Sequence, residues 1–198
     1  MVYMLNNMTI DEYLEKNLSE KRRKHIYSVV DEAKKLSLMY DGNIEKCETA
    51  ALFHDMVREI SIDEMNNYIK KYNLDEKYLS NRNVAHGKVA AALMKDCWGI
   101  DDTETLEAVS YHTTGREGMS KTEKIVFIAD AIEPTRNYDG VEKMREATYE
   151  DLDKGCLVSL RNTIAHLKDK GVKDIDEDTI KAEIWFKEII ERKEKVNE

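Results

Sequence analysis

Apolar residues recur at spacings of three and four through most of this chain, and no stretch of useful length alternates with a period of two. The pattern therefore predicts helices. Thr9, with Asp11 and Glu12 behind it, reads as a helix start. Ser19 caps a second helix to about Met39, which turns His25, Val29, Ala33 and Leu36 inward. Gly42 and Asn43 break the chain, and Ile44 to about Met56 forms the next helix. Ser61 opens a capping-box helix to about Tyr72, and Val84 to Trp98 forms another, with His86 in its first turn and Gly99 closing it. Asp102 caps a helix that ends at His112. Ser120 with Glu123 is a second capping box, opening an almost wholly apolar helix that Pro134 stops. Val141 to about Ala147, Tyr149 to Lys170 and an amphipathic last helix from Asp178 complete an all-α chain.

Composition narrows the class. With 198 residues, 41% hydrophobic and 36% charged, the chain suits one well-solvated domain with a sizeable core. A single proline and eight glycines favour long helices joined by short loops. The net charge of −9 argues against extended nucleic-acid binding, yet leaves room for a small phosphorylated ligand whose charge a metal offsets. Cys47, Cys97 and Cys156 are scattered and form no CxxC pair, which fits a reducing cytosol. Met1 to Ile10 lacks a basic region followed by an apolar run, and no run approaches the roughly 20 residues that span a bilayer. A cytoplasmic protein without a membrane partner is expected.

Against that background Ala51-Leu52-Phe53-His54-Asp55-Met56 stands out, because it sets a carboxylate directly after an apolar helical run. A buried carboxylate is disfavoured by several kcal/mol unless a cation or strong donors compensate it. A divalent metal does so, and imidazole and carboxylate are its usual oxygen and nitrogen ligands. Further ligand types stand at His25, His86, His112 and Asp130, the last in the apolar run Ile125 to Ile132. Any one of these histidines alone reads as a hydrogen-bonded core residue. Jointly, converging from different helices, they read as the metal site of a helix bundle and of a phosphohydrolase. His166 is the one histidine of five left over. Of Lys21-Arg22-Arg23-Lys24, one member facing phosphate and a solvated basic turn are both open readings.

The order His25, His54-Asp55, Asp130 resembles the HD-domain phosphohydrolases, an all-helical, metal-dependent superfamily. The stretch His112-Thr113-Thr114-Gly115, Met119-Ser120 and Lys124 through Pro134-Thr135-Arg136 is more specific, and resembles the YqeK family of symmetrical bis(5′-nucleosyl)-tetraphosphatases. The resemblance runs from about Ser19 to the final helix, so residues 19–198 would form one HD domain and residues 1–18 an N-terminal helical extension. It implies metal ligands at His25, His54, Asp55 and Asp130, with iron as the ion or manganese in its place, bound singly or as a pair. Asp55, His86 and His112 would carry the chemistry. Arg58, Thr113 and Arg136 would contact the nucleotide beside His86, His112 and Asp130, and the turn from Lys173 to Asp178 would close over base or ribose. Where the family has lysine shortly after the HD pair, this chain has Met56-Val57-Arg58, and arginine still grips phosphate, bidentately.

The reaction so implied is attack of metal-bound hydroxide on an inner phosphate of diadenosine tetraphosphate, releasing two ADP. Local positive potential at the cleft is expected despite the net charge. Other readings stay open: a nucleotidase or deoxynucleoside triphosphohydrolase of the same superfamily, a nucleotide sensor without turnover, and a structural helical module. Amphipathic terminal helices permit a homodimer.

Overall fold

The computed structural model describes residues 8–197, and among them it contains ten α-helices and no strand. They are α1 (Ile10–Asn17), α2 (Glu20–Met39), α3 (Ile44–Phe53), α4 (Ile62–Lys71), α5 (Arg82–Trp98), α6 (Thr103–Tyr111), α7 (Lys121–Ile132), α8 (Val141–Glu150), α9 (Leu152–Asp169) and α10 (Glu177–Asn197). A single 3₁₀ turn, Glu76–Tyr78, interrupts the polar stretch before α5. All five expected caps form: Thr9, Ser19, Ser61, Asp102 and Ser120 each accept from a main-chain N–H of the following turn. Full capping boxes close at Thr9 and Ser120.

Helix boundaries depart from the expected ones in ways that matter for the site. α3 stops at Phe53 instead of Met56, because the next main-chain bonds, Met56 N–H to Phe53 and Arg58 N–H to Asp55, span three residues and tighten the chain into turns. His54 and Asp55 thus sit on that turn. α5 starts at Arg82, two residues early, so His86 lies in its second turn. α8 runs three residues further than Ala147, and α9 starts three residues later than Tyr149.

α2, α3 and α7 form the centre, with α6 packed on α3 and α7, α5 on α6, and α8 to α10 on the far side. His25 in the early part of α2 meets Asp130 and Glu133 at the end of α7, whereas Ile125 at the start of α7 lies over Gly42, just past the end of α2. The two helices therefore run antiparallel. Between these ends Val29, Ala33, Leu36, Ala50, Ala51, Val126 and Ile128 are fully shielded from solvent. α1, in the expected N-terminal extension, adds Tyr13, Leu14 and Leu18 to the same core, while residues 1–7 lie outside the described residues. Among the described residues no helix is long and apolar enough to cross a membrane.

Candidate active site

Six side chains named from the sequence converge where α2, α3, α5, α6 and α7 meet: His25, His54, Asp55, His86, His112 and Asp130. Five are buried, and Asp130 leaves 21% of its side chain open to a cleft. Three overlapping sets each bring their ligand atoms within 4.8 Å of one another: His25, His54 and Asp55; His54, His112 and Asp130; Asp55, His86 and His112.

Main-chain and carboxylate acceptors fix the rings. His54 Nδ1 donates to the Ala51 carbonyl at 2.6 Å, His86 Nδ1 to the Arg82 carbonyl at 2.9 Å and His112 Nδ1 to the Val109 carbonyl at 2.7 Å. A carbonyl only accepts, so these three rings carry their proton on Nδ1 and aim a bare Nε2 inward. His25 Nδ1 donates instead to Glu133 Oε1 at 3.0 Å, and Glu133 is held in turn by the main-chain N–H and hydroxyl of Thr135. Metal-binding histidines are oriented in this way. Gly87 lets α5 approach α6 closely enough for two rings to meet: a Cβ there would stand 2.7 Å from the Val109 carbonyl oxygen and 3.0 Å from His112 Nδ1.

The inward atoms fit a divalent cation. His54 Nε2 is buried and has no hydrogen-bond partner among the described residues, an arrangement that costs about 1–3 kcal/mol when left unanswered. The Nε2 atoms of His86 and His112 face each other at 2.9 Å although both Nδ1 atoms hold the protons, so two lone pairs point at one another. Mixed imidazole and carboxylate donors suit zinc, iron and manganese alike. Burial pushes the His54 ring down, and burial with the neighbouring His86 and His54 pushes His112 to about 3, which leaves His112 a neutral ligand at neutral pH. Burial opposes charge on Asp55 and Asp130, but it is outweighed by His25 and Arg136 at Asp130, and Asp55 accepts from the Arg22 guanidinium. Both carboxyls lie well below their ordinary range. His25, buried but placed between Asp130 and Glu133, is shifted up.

Two cavities of about 540 and 600 Å³ open onto this cluster. Arg22, Arg58, Arg136 and Lys170 line the first, matched in number by Asp55, Asp130, Asp174 and Asp176, so the positive potential expected at the cleft is not supplied by the lining alone. Arg136 donates to the Asp130 carboxylate at 2.5 Å and reaches within 3.4 Å of His25 Nε2; the Thr113 hydroxyl lies 3.1 Å from His112 Nε2. Arg58 donates to Asn83 at the rim.

Lys173 and Asp178 do not line the cleft. Lys173 faces solvent, and Asp178 is drawn into the first turn of α10, its N–H bonded to the Asp176 carboxylate. The turn meets the cavity through Val172, Asp174, Ile175 and Asp176 instead, with Thr179 behind. Sequence reasoning also missed Glu133, and His166 and Thr163, which line both cavities. Arg22, bonded to Asp55 at 2.5 Å, was named only within its basic run. α9 carried a readable signal: Ser159, Asn162, Thr163, His166 and Lys170 recur at helical spacing as a polar strip.

A helical bundle with a buried, carboxylate-anchored histidine cluster at the floor of an arginine-lined cleft defines a metal-dependent phosphohydrolase. A family model described as HD domain matches residues 22–135. The chain belongs to the HD-domain family, in its YqeK-type branch. It is 40% identical over 158 residues to a Staphylococcus aureus protein named symmetrical bis(5′-nucleosyl)-tetraphosphatase, covering 78% of this chain and 81% of the relative. A Bacillus subtilis protein of the same name is 33% identical over 159 residues, covering 80% and 86%. The crystal structure of a predicted HD superfamily hydrolase involved in NAD metabolism, from Clostridium acetobutylicum, superposes with a TM-score of 0.84 at 39% identity, covering 89% of this chain and 94% of that one.

Proposed function

We propose that this chain hydrolyses diadenosine tetraphosphate and related dinucleoside polyphosphates symmetrically, to two ADP. The observation that carries the reading is the cluster itself, four histidines and two aspartates beneath an arginine-lined cleft, in a chain 33–40% identical to enzymes named for that reaction. His25, His54, Asp55 and Asp130 would hold the metal, and Asp55, His86 and His112 a second ion if two are bound. A divalent ion there supplies positive charge and lowers the pKa of a water toward neutrality. Iron is the ion we propose, with manganese able to replace it, since nitrogen and oxygen donors accommodate both.

The chain's own groups do the rest. Arg22, Arg58 and Arg136 face the cleft and offset charge on the phosphates, most effectively where charge grows during the reaction. The Thr113 hydroxyl, next to the inward nitrogens of His86 and His112, orients a phosphate oxygen or a water. Asp174 and Asp176 offer acceptors to ribose hydroxyls at the far end of the first cavity. The substrate is a small nucleotide and not a nucleic acid, which the net charge of −9 supports, and three free thiols support a cytoplasmic setting. Exposed Ile180 and Ile184 on α10 support a homodimer.

Chromatography of products tests the reading. Purified protein with iron(II) or manganese(II) should convert diadenosine tetraphosphate to ADP alone. ATP plus AMP would place the attack elsewhere, and tight nucleotide binding without turnover would make the chain a sensor.

A further inference from the structure

The two cavities are not separate sites. The first lies between the start of α5, the turn at residues 172–176 and the end of α9; the second lies between the loop after α7, α8 and α9. Both include His112, Thr113, Asp130, Arg136, Thr163 and His166, so they meet over the metal cluster and form two lobes of one cleft. At about 540 and 600 Å³, each falls in the range of pockets that hold one small ligand, roughly 300–1,000 Å³.

Central cleavage makes a geometric demand. A four-phosphate chain cut in the middle has the same unit, a nucleoside diphosphate, on each side of the scissile bond. A site that gripped one end alone would leave the other end's binding energy unused and would fix the register of the phosphates from one side only. Two lobes of similar size flanking one reaction centre meet that demand.

The second lobe contains what a nucleobase needs. Tyr138 is 40% exposed, and its hydroxyl donates to the Ala131 carbonyl at 2.7 Å, which pins the ring to the end of α7. Phe127 and Met144, both buried, form the wall behind. Asn162 of α9 adds an amide, able to donate and accept toward a base edge. The loop is drawn tightly against it: Gly140 sits at φ +91°, and a Cβ there would come within 3.1 Å of Asn162 Oδ1.

We propose that the second lobe is the subsite for the other nucleoside diphosphate of the substrate, with its base stacked on Tyr138. This rests on the dinucleoside tetraphosphate reading given above. Stacking of a base on an aromatic side chain commonly contributes about ten- to hundredfold in binding.

Calorimetry of ADP with the manganese-loaded protein is the first test. Two ADP per chain are expected for the wild type and one for Tyr138→Ala; a single ADP bound to the wild type overturns the proposal. Turnover supplies a second, independent reading. Comparing diadenosine tetraphosphate with adenosine 5′-tetraphosphate, which lacks the second nucleoside, Tyr138→Ala should lower the ratio of the two kcat/KM values about ten- to hundredfold. Tyr138→Trp, which keeps an aromatic face, should restore most of that ratio. Equal losses on both substrates would make Tyr138 a structural residue and overturn the subsite. A protein that cleaves neither substrate refutes the proposed reaction, while the ADP count still decides between one lobe and two.

Discussion

The two ends of the α2–α7 pair are built on opposite terms. Toward the end of α2, Ala33 and Leu36 are packed without solvent contact, as Ile125 and Val126 are at the beginning of α7. Toward the other end, the same helices bury His25 beside Asp130 and Glu133. The first region is held by shape and apolar area. The second holds charged and half-satisfied groups in place through bonds to Ala51, Val109, Arg82 and Glu133, and it gains nothing from burial. Stability and activity should therefore respond to substitutions at different ends of one helix pair.

The sharpest way to break that distinction is Asp55→Asn. The substitution preserves shape and an acceptor for Arg22 but weakens metal binding, so activity should fall by about 1,000-fold or more, equivalent to about 4 kcal/mol. Melting of the metal-free protein should move by less than about 4 °C. Metal should raise the wild-type melting temperature, as any ligand of the folded state does, and raise that of the variant far less. A variant that no longer folds would show that the cluster is part of the structural core after all. The opposite experiment is Leu36→Ala, which should cost about 2–5 kcal/mol in unfolding and leave kcat of the folded protein within about twofold.

Much of this division could be read from the chain before any coordinates, because caps and ligand types are local features. Ser19 and Ser120 are followed by their helices at once, and His54-Asp55 after an apolar run is conspicuous wherever it folds. What escaped depends on which helices become neighbours. Glu133 looks like a helix-end carboxylate until α2 brings His25 against it, and the polar strip of α9 looks solvent-facing until the loop after α7 makes it a cavity wall. His166 was set aside for that reason. Lys173 and Asp178 stand off the cavity lining for a different one: a turn sends successive side chains in different directions, and sequence order does not say which of them face the cleft.

Glu133→Gln sharpens the comparison at the level of positioning. The glutamine still accepts from His25 Nδ1 but carries no charge, so ring orientation survives while ligand basicity falls. Metal affinity should drop about 10- to 100-fold, read as a higher manganese(II) concentration for half-maximal activity, with kcat at saturating metal nearly restored. An unchanged metal dependence would show that Glu133 serves the fold alone.

The smallest effect belongs to α6, which has one foot in each region. Asp102 caps its first turn, accepting from the Thr105 N–H at 2.9 Å and from Lys46 at 2.8 Å, while His112 stands at its other end. Losing the cap should cost about 1 kcal/mol, measured as unfolding in urea at pH 7. Asp102→Ala should leave kcat unaltered, because His112 is fixed by its own bond to Val109 and by Gly87 across from it, and not by the far end of its helix. Acid provides the control. Lys46 and Thr105 hold the Asp102 carboxyl down to about 2, below its ordinary 3.8, so its contribution is complete above that ordinary value and is lost as the pH falls through about 2. The stability difference between wild type and Asp102→Ala should accordingly be constant from neutral pH to about 4 and shrink below it. A difference that persisted undiminished at pH 2 would mean that the alanine disturbs packing at the start of α6, and that the two regions communicate through this helix more than its bonds suggest.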